Sequence, residues 1–119
     1  MQILTHTVHG QRIAEIRGES ILIHGPQDSL DLLGDVYYQG FDKIILHEKN
    51  ITPEFFRLKS GLAGEMLQKY SNYRVRLAIV GDFSDHTGQS ILDFMRESNR
   101  QGHINFTASL AEALEKLAK

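Results

Sequence analysis

The chain has 119 residues, a formal net charge of −2, 41% apolar and 24% charged residues, and no cysteine. This length suits one domain able to bury a core unaided, and the missing cysteine excludes disulfides, thiolate metal sites and cysteine nucleophiles. A mildly acidic balance argues against nucleic-acid binding, and no segment reads as a signal peptide or membrane span, so a cytoplasmic protein with neither partner is expected.

Gln2–Val8 and Gln11–Arg17 flank His9 and Gly10, a short polar-glycine break suited to a tight hairpin between two strands. Ser20–His24 reads as a third, shorter strand. Pro26 fits a first helical position and Gly40 the residue just past a helix end. Between them Leu30, Leu33, Val36 and Tyr37 form an apolar stripe, with Asp28, Asp31 and Asp35 mainly on the solvated flank. Lys43–His47 and Val75–Val80 are nearly continuous apolar runs, the pattern of strands covered on both faces. They are expected to lie side by side, parallel, at the centre of a sheet.

Thr87 is placed to cap a helix carrying Ile91, Leu92, Phe94 and Met95 and stopped by Gly102. Ile104–Phe106 makes a last short strand. Ser109 with Glu112 forms a capping box ahead of Leu110, Ala113, Leu114 and Leu117. Helices alternating with strands imply an α/β fold: a mostly parallel central sheet with right-handed crossovers, an antiparallel N-terminal hairpin and about four helices.

The segment from Thr52 to Tyr70 supports two readings. Thr52, Pro53 and Glu54 make a good helix start, with a cap, a preset φ and a carboxylate at the positive dipole end. Phe55, Leu58, Leu62, Met66 and Tyr70 would then share one stripe of a continuous helix. Alternatively one isolated turn precedes a second helix that begins at Ser60-Gly61, which relieves Gly61 of its cost of about 1 kcal/mol in a helix interior.

Polar residues collect where the two central strands stop: His47, Glu48 and Asn50 after the first, Gly81 and Asp82 after the second. The carboxyl ends of parallel strands are where ligands and partners dock in open α/β sheets. His47 with Glu48 or Asp82, and His86 nearby, would suit general acid–base chemistry, although loops hold such residues for structural reasons too. No nucleophile elbow, phosphate loop or dinucleotide fingerprint occurs, and no histidines pair at helical ligand spacing, so neither cofactor nor metal is expected. Ser60, flanked by Arg57 and Lys59, reads either as a helix cap or surface serine, or as a phosphoacceptor or anion site at a helix N-terminus. Phe55 and Phe56 beside the basic pair, like Tyr37 and Tyr38, read as core plus one exposed ring, and an exposed Tyr or Phe suits a protein interface.

The blocks LHEKN, SGLAGEMLQKYSNYRVRLAIVGDF and RESN resemble an uncharacterised bacterial family, domain-of-unknown-function family 4180, over nearly the whole chain. More distantly, the order of elements is similar to the STAS domain of bacterial anti-sigma-factor antagonists and anion-transporter tails. The switch motif of that domain, Asp-Ser-Ser-Gly-Leu, corresponds here to Leu58, Lys59, Ser60, Gly61 and Leu62, with Leu58 in place of the acidic residue. The resemblance implies a helix restarting at Ser60 with Arg57–Lys59 irregular, and places the antagonists' phosphorylated serine on Ser60. The expected function is thus a STAS-type interaction or regulatory module without catalytic turnover, with a protein partner or a second copy of itself. The alternatives are a domain binding a small anionic metabolite, and a small hydrolase or isomerase using His47 with Glu48 or Asp82.

Overall fold

In the computed structural model, which describes residues 1–119, five strands form one sheet in strict sequence order. β1 (Gln2–Val8) and β2 (Gln11–Arg17) are antiparallel. His9 and Gly10 turn between them with φ of 51° and 76°, the primed geometry that follows the natural twist of a hairpin. β3 (Lys43–His47), β4 (Arg76–Val80) and β5 (Ile104–Thr107) then add in parallel. β3 and β4 are neighbours within the sheet, and Ile45, Leu46, Leu77 and Ile79 are buried.

The crossovers α1 (Pro26–Tyr38), α2 (Leu62–Asn72) and α3 (Gln89–Gln101) link strands that always step in one direction across the sheet. Right-handed connections of that kind must all pass over the same face. The larger core lies there: Ala14, Ile16, Ile44, Leu46, Leu77 and Ile79 meet Leu33, Val36, Met66 and Ile91. The other face carries a smaller core, in which α4 (Leu110–Leu117) sets Ala113 and Leu117 on Ile13, Ile45 and Ala78. Arg76 points to that side and its guanidinium donates to the carbonyls of Lys116 and Lys119 (both 3.1 Å) and, at 3.4 Å, of Leu117, while Nε reaches Gly102. Ser109 Oγ accepts the Glu112 N–H at 3.1 Å, and the Glu112 carboxylate returns to the N–H of Ala108.

Three sequence expectations need correction. Ser20–His24 is not a sheet strand: both edges of β2 are taken by β1 and β3, and the segment makes only a single bridge, Ile23 with Ile51. α1 buries Ser29, Leu32, Leu33 and Val36, while Leu30 and Tyr37 are exposed. The buried stripe thus includes Ser29, which packs against α2, where its backbone carbonyl accepts the hydroxyl of buried Tyr70 at 3.2 Å. Burial pushes the Tyr70 phenol up to about 12. Thr87 does not cap α3: Gly88 stands at the N-cap and its carbonyl takes the Leu92 N–H.

Candidate functional site

The stretch between β3 and α2 is built from three short 3-10 turns, Glu48–Asn50, Pro53–Phe56 and Leu58–Ser60. Thr52 starts the second by accepting the Glu54 N–H, and Phe55 anchors it in the core. The helix is therefore broken, but it restarts at Leu62 rather than at Ser60, and Leu58–Ser60 forms a turn. Gly61 makes the break, with φ of 79° in the left-handed region that side chains disfavour. Ser60 is exposed on this corner: its Oγ donates to the Glu54 carbonyl at 2.7 Å and accepts the Leu62 N–H at 3.3 Å. Arg57 is exposed beside it and paired with Glu54 at 3.2 Å, and Lys59 forms no ion pair.

His47 and Glu48 are adjacent in sequence but serve opposite sides of the sheet. His47 follows the side-chain alternation of β3 onto the α4 face, where its Nε2–H donates to Glu15 Oε2 at 2.7 Å. His6 donates to Glu15 Oε1 at 2.7 Å, and Arg17 Nε to Oε2 at 2.7 Å. Glu15 has 0% exposure, and these three side chains are its hydrogen-bond partners. Burial pushes the carboxyl up, but the hydrogen bonds of Arg17, His6 and His47 and the Arg17 charge outweigh it and hold the group at about 2. This cluster was missed in the sequence. The signal was a lone carboxylate among Ile13, Ala14 and Ile16, and the hairpin register sets it diagonal to His6.

Glu48 faces the other way. Its side chain lies over Gly81, where an added Cβ would stand 2.6 Å from Glu48 Cβ, so the close approach needs a glycine. Its Oε2 lies 3.3 Å from His86 Nε2, and the His86 ring stacks on Phe56 with centroids 4.4 Å apart and planes 23° from parallel. The pair and Phe56 line a cleft of about 360 Å³ whose other walls are Ile21, Ile51 and Pro53, with Lys49 at its side. The two histidines that sequence order brings to neighbouring strand ends thus do not meet: His47 pairs with Glu15 and His86 with Glu48.

Asn50 is buried and its amide donates to the carbonyls of Gly18 (2.9 Å) and Ser20 (2.8 Å), tying the chain after β2 to the end of β3. Asp82 is exposed; the hydroxyl and backbone N–H of Ser84 bond its carboxylate and hold it below the usual range. No group of three His, Asp or Glu side chains is arranged to hold a metal ion, and no helix is long and apolar enough to cross a membrane.

The antiparallel hairpin, the parallel remainder of the sheet and the broken approach to α2 define a STAS-like fold. The crystal structure of TM1081 from Thermotoga maritima, described as a putative anti-sigma factor antagonist, matches with a TM-score of 0.51 at 14% identity, over 98% of this chain and 95% of that one. The NMR structure of TM1081 gives a TM-score of 0.52 at 14% identity, over 100% of this chain and 90% of that one. Such identity speaks for the fold alone. No curated protein matches the chain. Residues 8–117 match the family described as a domain of unknown function, DUF4180, and the chain belongs to that family.

Proposed function

We propose that the protein is a regulatory interaction module of STAS type that engages a protein partner through the corner Arg57–Leu62, with Ser60 as a phosphoacceptor. The observation that carries this reading is the position of Ser60: an exposed hydroxyl, two residues before the first turn of an eleven-residue helix, on a STAS-like fold. The chemistry of a switch follows from its two hydrogen bonds. Ser60 Oγ is a donor toward Glu54 O and an acceptor toward Leu62 N. A phosphoryl group carries about −1.5 to −2 charges and its ester oxygen has no proton to donate, so the Glu54 contact turns from attraction to repulsion. The bond toward the helix N-terminus strengthens instead, since the dipole favours an anion there. Phosphorylation would therefore free the turn Pro53–Phe56 from the corner while holding α2.

Intact-mass analysis of the protein purified from its native cells, with peptide mapping, should find one phosphoryl group on Ser60. Ser60→Ala and Ser60→Asp should each cost about 0.5–1.5 kcal/mol in urea melts, because both lose the hydrogen bond to the Glu54 carbonyl. Only Ser60→Asp should weaken capture of the partner, since only it changes the surface charge. Unmodified Ser60, with both variants keeping the partners of the parent, would refute the reading.

A further inference from the structure

We infer that the cleft between the Glu48–His86 pair and the turn Pro53–Phe56 binds a small aromatic carboxylate. Its volume of about 360 Å³ falls in the range of ligand sites, roughly 300–1,000 Å³, and is ample for one or two fused rings. Ile21, Ile51 and Pro53 supply apolar walls, and Phe56 with His86 supplies a π-stacked pair beside which a flat ring packs well.

The polar groups are set before any ligand arrives. Glu48 is seated over Gly81, and His86 is held both by Glu48 and by the ring of Phe56. Because a carboxylate only accepts, His86 Nε2 carries the proton shared with Glu48. Side chains fixed in this way lose little freedom on binding, which favours affinity. The charge of the ligand follows from Lys49. It is exposed, lines the cleft and has no ion-pair partner, whereas Glu48 is already bonded to His86. A carboxylate on the Lys49 side of the cleft gains a charge-assisted hydrogen bond there, and the hydrogen bond from His86 already engages the Glu48 carboxylate that such a ligand must keep away from. The site stands on this geometry and not on the role of Ser60, although the two share a turn: Glu54, between Pro53 and Phe56, holds the Ser60 hydroxyl.

Titration of the full chain with 1-naphthoate, followed by amide chemical shifts in two-dimensional NMR, tests the inference. Saturable shifts should centre on Lys49, Ile51, Phe56 and His86. The uncharged 1-naphthamide, and 1-naphthoate with Lys49→Gln, should each bind about tenfold more weakly, the loss of one charge-assisted contact. Cyclohexanecarboxylate, which keeps the charge but lacks the π-face, should also bind more weakly. Lys49 is a surface residue, so the variant should retain the parent's dispersed spectrum. Shifts that fail to saturate at millimolar ligand, that centre elsewhere, or that are equal for acid and amide would overturn the inference.

Discussion

Glu15 has both carboxylate oxygens committed, one to His6 and the other to His47 and Arg17, in a strand flanked on both sides. Its value of about 2 lies below the 4.5 of an unperturbed carboxyl, so its contribution is complete above about pH 4.5 and fades as pH falls toward 2. The difference corresponds to roughly 3 kcal/mol at most. Urea melts between pH 6 and pH 2.5 should show the parent losing more stability than Glu15→Gln, with the gap opening below about pH 4.5. Parallel pH profiles would mean that the cluster contributes nothing to folding. The cluster was hard to see in the sequence because reading each strand separately cannot bring His6, thirty-two-residue-distant His47 and Glu15 together. Only register does that.

At the scale of elements, legibility tracked whether a residue's job is local. Both strands of the hairpin, β3 and the capping box depend on nearby residues and were readable, whereas the residues before α2 left a continuous and a broken helix both open, and the resemblance set the restart at Ser60, two positions before Leu62. The face of α1 was not readable, since Ser29 holds a buried position against α2, where a polar residue was expected to face solvent. Likewise Ser20–His24 has strand composition, but β1 and β3 already hold both sides of the β2 strand it follows, so availability of a neighbouring partner overrode propensity. α4 supplies a further case: its last carbonyls are served by Arg76, a strand residue forty positions earlier in the chain. Helix carbonyls left without donors at a C-terminus need such partners, and a cation also suits that end of the dipole. Arg76→Leu should lower stability by about 1–3 kcal/mol and speed amide exchange in the last turn of α4 above all. Exchange that rises equally in α1 would show that Arg76 supports the whole sheet and not this helix end.

The whole molecule is a sheet with two unequal cores that share their strands. Leu77, in the larger core, and Leu117, in the smaller, are both fully buried. Truncating either to alanine should cost about 2–5 kcal/mol. Since Ile45 and Ala78 of the smaller core alternate along the same strands as Leu46 and Leu77 of the larger, both variants should melt in a single transition seen identically by circular dichroism and tyrosine fluorescence. An early separate step in Leu117→Ala would show α4 detaching by itself. The order of strands also bears on a chain still being made. Each strand joins the edge left by the one just before it, so β3, β4 and β5 can dock as they leave the ribosome, and none must be threaded between finished neighbours. Only α4 has to reach back, across β4 to Ile45 and Ile13. Until it emerges, a translating chain would carry its larger core closed and its smaller one open to water, with Arg76 waiting for the carbonyls that complete it.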